Sequence, residues 1–307
     1  MKTSIVRLLV IIAVVLGSPL AAGAQDYAPA VDPLSLLDMR YYAHSGGFMV
    51  EGLQLVFPPG DDPAAELTVT NAAGETAATI SLQVRRWPDW PAFGVLAPVG
   101  PGIAHLNAPG DYTMTVRLGG DVIGELAYAV TEEGGDDPFN PKKTYHREGP
   151  WRTLAYLSSP AEKPDEALRF NYWTSLREVG ASGQTKIALR LKRGGQEVAV
   201  SRSDYVVSNA DWQFFHHPLT KPGQKTNFTL ANLQRRDGAY TMTLLAAGKP
   251  VKTYRFSVRG GEVVPSPRSE LGSEPRGDVL TPRRINTSAG SGSRYFMEHV
   301  FWVKADS

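Results

Sequence analysis

The chain has 307 residues, no cysteine, and a formal net charge of +1 from 32 Lys+Arg against 31 Asp+Glu. A balance so near neutrality gives no counterion-release drive toward DNA, RNA or anionic lipid, which excludes nucleic-acid binding. Without cysteine there are no thiolate zinc sites, thiol nucleophiles, disulfide staples or lipoprotein anchors, so hydrophobic cores alone must hold the fold.

In chain order, residues 1–24 read as a cleaved signal peptide. Lys2 and Arg7 form a positive start, Leu8–Leu16 is an unbroken apolar run, and Ala22-Gly23-Ala24 supplies small residues for cleavage. The run is far short of the ~20 residues needed to span a bilayer. Cleavage leaves 30 Lys+Arg against 31 Asp+Glu, a net charge of −1, and no membrane span. The protein is therefore expected to be exported, to the periplasm or the outside of the cell. The remaining ~283 residues suit two domains.

Residues 25–37 form a spacer, and Asp32–Met39 (DPLSLLDM) has the Pro and acidic start of a short helical turn. A first domain is expected over 38–131. Within it, Glu66–Val84 alternates apolar and polar residues as strands do. Arg85–Phe93 (RRWPDWPAF) reads as an aromatic loop because Pro88 and Pro91 argue against a central strand. Gly110–Val130 then reads as a β-hairpin broken at Gly119-Gly120.

Residues 132–149 are polar, charged and rich in Gly and Pro, the composition of a linker. Glu132, Glu133, Asp136, Asp137 and Asn140 form an oxygen-rich cluster; a solvated linker is the plain reading and calcium the alternative. A second domain is expected over 150–259. Pro164–Phe170 again suggests a helical turn, and Lys186–Val200 a strand pair resembling Glu66–Val84. Asp211–Phe215 (DWQFF) forms a second aromatic loop.

Gly238–Val258 repeats Gly110–Val130 without a gap, 128 residues later. Gly110/Gly238, Tyr112/Tyr240, Thr113/Thr241, Met114/Met242, Thr115/Thr243, Gly120/Gly248 and Val130/Val258 are identical. A period this long exceeds any solenoid unit and points to a duplicated domain.

After Val258, residues 260–293 are Pro-, Gly-, Ser- and charge-rich and read as flexible or extended. Residues 294–307 turn apolar again, with Tyr295, Met297, Phe301 and Trp302 within RYFMEHVFWVK. A strand of that content must be covered, either by adding to an edge of its own chain or by inserting into another protein's sheet.

The phrase Asp237-Gly238-Ala239-Tyr240-Thr241-Met242, with Leu233 upstream, resembles strand F of bacterial immunoglobulin-like and fibronectin-III-like β-sandwich modules. That resemblance implies an all-β fold of two tandem antiparallel sandwiches. It also implies that Tyr112 and Tyr240 pin corners through their hydroxyls, with Met114 and Met242 standing where such domains carry a cysteine.

For chemistry, His216 and His217 are adjacent and so face opposite sides of a strand, a poor metal pair. No HExxH or GxSxG motif occurs, and no catalytic residue, metal or cofactor is assigned. The exposed candidates are Trp87, Asp89 and Trp90 in the first aromatic loop and Trp212 and Phe214 in the second. They either close the ends of the sandwiches or contact a ligand. The function expected is non-catalytic: binding, adhesion or scaffolding of an envelope or extracellular protein. A carbohydrate-binding accessory role for the Trp loops is the alternative, followed by a hydrolase on a sandwich scaffold.

Overall fold

The computed structural model describes residues 30–31, 40–42, 47–49, 53–56, 62–87, 90–100, 103–105, 108–135, 139, 143–161, 163–210, 212–264, 279–286 and 293–306. The signal-peptide segment, most of the spacer with Asp32–Met39, and Asp89, Asp136, Asp137 and Asn140 lie outside these residues. The described chain is almost entirely β and antiparallel.

The first unit contains β1 (Ala30–Val31), β2 (Arg40–Tyr42), β3 (Gly47–Met49), β4 (Leu53–Val56), β5 (Ala65–Asn71), β6 (Thr76–Trp87), β7 (Trp90–Pro98), β8 (Ile103–His105), β9 (Gly110–Leu118), β10 (Asp121–Gly134) and β11 (Lys143–Glu148). The second contains β12 (Leu154–Pro160), β13 (Arg169–Thr174), β14 (Thr185–Arg193), β15 (Gln196–Ser201), β16 (Tyr205–Val207), β17 (Gln213–Thr220), the short helix α1 (Leu230–Gln234), β18 (Gly238–Ala246), β19 (Lys249–Arg259), β20 (Glu262–Val264), β21 (Val279–Asn286) and β22 (Ser293–Ala305).

Ladder by ladder, the two units share one order. The first sheet runs β1-β4-β7-β6-β5-β9-β10, and the second β12-β13-β17-β15-β14-β18-β19. The repeat extends to irregularities. Between β9 and β10 the register slips at Ile123, and between β18 and β19 it slips at Val251, the equivalent residue 128 positions on. β5–β6 and β14–β15 also slip at matching places, between Val69 and Thr70 and between Leu191 and Lys192. Leu67 and Val69 occupy the register of Leu189 and Leu191, so the true offset here is 122, two more than the alignment of Glu66 with Lys186 implies. Alternating apolar residues match equally well at either even offset, so pattern alone cannot choose between them.

Period-2 alternation makes each unit's core. On β9, Tyr112, Met114, Val116 and Leu118 are buried; on β18, Tyr240, Met242 and Leu244. They meet Leu67 and Val69, and Leu189 and Leu191, across the neighbouring strand, in two separate clusters. The hairpin turn at Gly119-Gly120 has positive φ at both residues, 61° and 96°, as a two-residue primed turn requires. Its copy, Ala247-Gly248, places an alanine at φ 46°.

Four features depart from the sequence reading. Residues 132–149 are not a free linker: β10 continues to Gly134, and β11 pairs with it from Ala129↔Glu148 to Gly134↔Lys143. Extended, β-compatible residues such as Thr144 and Tyr145 complete a ladder that composition alone hides. Arg85–Phe93 is a hairpin and not a loop, with Trp87 paired to Trp90. Pro91 is tolerated because the register breaks there, and pairing with β6 resumes only at Gly94. The segment 260–293 carries β20 and β21, the latter paired to β22 along its length. Finally, Pro164–Phe170 makes a turn leading into β13, while α1, the α-helix among the described residues, is started by a Thr229–Asn232 capping box.

The second sheet is also not an open pair of layers. It closes into a barrel, because β22 pairs with β12 from Leu154↔Lys304 to Pro160↔Glu298 and touches β19 at Tyr254↔Ala305 and Arg255↔Lys304. β14–β15 pairing bridges the opposite side. Closure satisfies backbone groups that two open edges would leave exposed.

Candidate functional site: the C-terminal strand seam and the aromatic junction

β22 uses both of its faces. Phe301 and Val303 point into the barrel core with Phe170, Tyr172 and Tyr254. Val300 and Trp302 join the other cluster, with Leu154, Tyr156 and Trp173. Trp302 meets Tyr156 edge-on at 5.2 Å between ring centroids. Every residue of β12 beneath it is buried, as a strand covered on both faces must be. The strand is fixed at each end by charge: buried Glu298 accepts from Arg169 Nη1 at 2.8 Å, and Asp306 accepts from Arg255 Nε at 2.7 Å. A one-residue slip would turn Phe301 out of the barrel and undo both pairs.

The loop and tail aromatics converge on Tyr156. Phe214 lies 6.3 Å from Tyr156 and 5.0 Å from Trp173. Trp212 is half-buried with the Lys252 ammonium 5.6 Å from its ring. Trp212 and Phe214 therefore pack against the first core instead of standing free. The backbones of Trp87 and Trp90 face each other across the β6–β7 turn, while their side chains lie outside the described residues. The same holds for Tyr295 and Met297, whose backbones pair with Arg284 and Pro282.

Between the units sits a junction that the sequence reading missed. Trp151, in the turn Pro150–Arg152, is fully buried, with the Arg147 guanidinium 4.5 Å over its ring and Tyr128 at 6.2 Å. A Cβ at Gly149 would collide with that ring, so only glycine lets the indole fold back. Charges from both units interlock here. His146 Nε2 lies 3.0 Å from Glu133, and Arg177 lies 3.5 Å from Glu133 and 3.4 Å from Glu148. Lys252 pairs with Glu178 and donates to the Arg152 carbonyl at 2.6 Å. Burial raises Glu148 and lowers Lys252 and His146 from their ordinary values, since each charged form loses water there. Glu132 is held low by its hydrogen bond from Lys143, so the acidic cluster's first two members already have basic partners.

Deeper in the barrel, Tyr172 OH and His217 Nε2 are 3.1 Å apart, and burial drives His217 down to about 3 and the Tyr172 and Tyr254 hydroxyls well above their usual range. His216, one residue away, is exposed, so the two imidazoles diverge as strand geometry requires. Among the described residues no three His, Cys, Asp or Glu side chains gather as metal ligands.

The repeated tyrosines share one geometry. Tyr112 OH donates to the Ala108 carbonyl at 2.9 Å, and Tyr240 OH to the Arg236 carbonyl at 2.6 Å, each bond reaching four residues back. Tyr240 is also 3.3 Å from the carbonyl of Leu233, on α1. Beside these corners lie two shallow clefts. One, of about 320 Å³, is flanked by Tyr112, Tyr128 and Glu148; the other, of about 410 Å³, by Lys221, Arg235, Arg236 and Tyr240.

Sequence reasoning misses Trp151, Arg147, Arg177, Glu178 and Lys252, most of whose partners lie far along the chain; the turn-forming Gly149-Pro150 before Trp151 is the nearest hint. No family model, curated protein or solved structure matches this chain.

Proposed function

We propose that this is an exported, non-catalytic binding or scaffolding protein of the cell envelope, built from two immunoglobulin-type domains that recognise protein partners through sheet edges. The observation that carries it is the strand order shared by both units: first-second-fifth-fourth-third-sixth-seventh among their common strands. Cut between the third and fourth strands, that order gives the two layers of an immunoglobulin sandwich, four strands against three. The corner tyrosines then fall on the sixth strand, as that fold places them, and Met114 and Met242 fill the disulfide position with apolar volume.

Edge pairing is the recognition mode this chain already uses on itself, through β22. The outer side of β11 meets no further strand among the described residues and offers the same backbone donors and acceptors to a partner. Arg177, Glu133 and Glu148 are engaged in joining the units, and Lys252 and Glu178 in a pair of their own beside them, which supports a structural and not a catalytic role. Capture from a native envelope fraction with the intact protein tests the reading. A retained protein that Thr144→Pro releases without lowering the melting temperature supports it; capture indifferent to that change refutes edge recognition.

A second reading, carbohydrate binding, is favoured by the paired positions of Trp87 and Trp90 at the β6–β7 tip. Retention on insoluble polysaccharide that Trp90→Ala abolishes would establish it in place of the first.

A further inference from the structure

We propose that the cleft beside the Tyr240 corner is a binding site for an acidic sugar, a saccharide unit carrying a carboxylate or a phosphate. The inference goes beyond the reading of sheet edges, since no residue of β11 borders this cleft and the ligand is a small molecule.

The cleft, of about 410 Å³, lies between β15, the loop after β17 and the end of α1. That volume falls in the range of about 300–1,000 Å³ usual for small-molecule sites. Lys221, Arg235 and Arg236 border it, and none of their side chains has a carboxylate partner among the described residues. The carboxylate that does border it, Glu197, lies 3.5 Å from Arg190 Nε. Asp237, next along the chain, accepts instead from the backbone N–H groups of Gly260 and Gly261, at 2.7 and 3.1 Å. Elsewhere in this unit Arg169, Arg177, Lys252 and Arg255 each meet a carboxylate. Cations gathered without a counter-charge repel one another, and a bound anion relieves that repulsion.

The duplicated domain shows that the corner itself does not require these arginines. Tyr112 OH donates to the Ala108 carbonyl just as Tyr240 OH donates to that of Arg236. In the sequence, Asn107 and Ala108 stand 128 residues before Arg235 and Arg236. Both bonds end on backbone, and alanine makes one of them, so the guanidiniums take no part in the corner. The frame that carries them is nevertheless fixed. The Thr229–Asn232 capping box holds α1, the Phe228 N–H donates to the Leu219 carbonyl at 3.0 Å, and the Lys221 N–H to that of Thr226 at 3.0 Å. A site held this way loses little freedom when a ligand enters.

The lining specifies the ligand. A guanidinium fork matches the paired oxygens of a carboxylate or phosphate. The neutral polar groups are the amides of Gln196, Gln224 and Asn232. Asn232 Oδ1 accepts from the Thr229 N–H, while its Nδ2 has no partner among the described residues. Amides donate and accept, as sugar hydroxyls do. Phe228 and Tyr240 are only 6% and 2% exposed, so the cleft has neither an apolar socket for a peptide anchor nor an open ring on which a neutral sugar could stack. Recognition then depends on charge.

Isothermal titration of the full-length protein with tetragalacturonate and, separately, with glucose 6-phosphate tests the site and tells the two acids apart. At least one should bind, and more weakly as NaCl rises from about 20 to about 200 mM. Arg235→Ala, Arg236→Ala and, on another wall, Lys221→Ala should each weaken binding about tenfold. Their melting temperatures should stay within about 1 °C of wild type. Lys249→Ala, which removes an exposed cation at the far end of the β18–β19 hairpin, and Trp90→Ala should leave binding unchanged. The proposal is overturned if neither acid binds, if methyl-esterified tetragalacturonate or tetraglutamate binds as well as the acids, or if binding is indifferent to all three cleft variants. None of these outcomes bears on the β11 edge, which the Thr144→Pro capture tests separately.

Discussion

Trp302→Ala is the sharpest probe of how β22 is held. The indole is 1% exposed and packs edge-on against Tyr156, so its removal deletes buried apolar surface and leaves a cavity between strands that are themselves tightly covered. Truncations of this kind typically destabilise by about 3–5 kcal/mol. For a unit of this size each kcal/mol lowers the melting temperature by roughly 2–4 °C, so a loss near 4 kcal/mol predicts a fall of about 8–16 °C. Differential scanning calorimetry reads this, since it can separate the transitions of the two units if they melt apart. Val206→Ala, at an exposed position of β16 in the same unit, is the control and should shift the melt by no more than a degree or two. A Trp302→Ala protein that melts within about 2 °C of wild type would refute the seating of β22 in the seam, because no relaxation hides the loss of so large a buried ring.

Tyr240→Phe removes a hydroxyl that donates to the Arg236 carbonyl and should destabilise the second unit by about 1–2 kcal/mol in urea titration; a neutral outcome would deny the corner any structural role. Lys252→Met leaves the Glu178 carboxylate, 16% exposed, without its cation and should cost about 3–5 kcal/mol, most of which the added change Glu178→Leu should restore; a double variant no better than the single one would show that the pair's partners matter more than its charge. His217 has its folded-state value depressed to about 3, below that of the unfolded chain, so its contribution is present at neutral pH and is lost as pH falls from about 6.5 toward 3. Between pH 6.5 and 5 that is about 2 kcal/mol, measurable by urea titration, and His217→Gln should flatten the slope; an unchanged slope would place the acid sensitivity elsewhere.

Much of the architecture was legible along the chain. Alternation marked β9, β10, β18 and β19 correctly, because a half-buried strand must show its period-2 pattern locally. The Gly119-Gly120 turn and the i−4 reach of Tyr112 and Tyr240 are equally local. The aromatic loops are less transparent. The sequence leaves Trp212 and Phe214 either closing a sandwich end or meeting a ligand; both pack against a core, and Tyr156 and Trp173, distant in sequence, lie against Phe214. Composition misled over 132–149, where acidic and glycine residues look like a linker until β11 returns to pair with β10.

By itself, then, the sequence determined that this is a twice-repeated β protein, and which residues of each repeated hairpin face a core. That information resides in residues a few positions apart. Only the tertiary structure decided where β22 docks, how Trp151 and the pairs of Arg177 with Glu133 and Glu148 join the units, and that the second sheet closes into a ring. A strand's partner is chosen by which edge is open and which side chains line it, and those surfaces exist only after distant segments have folded together.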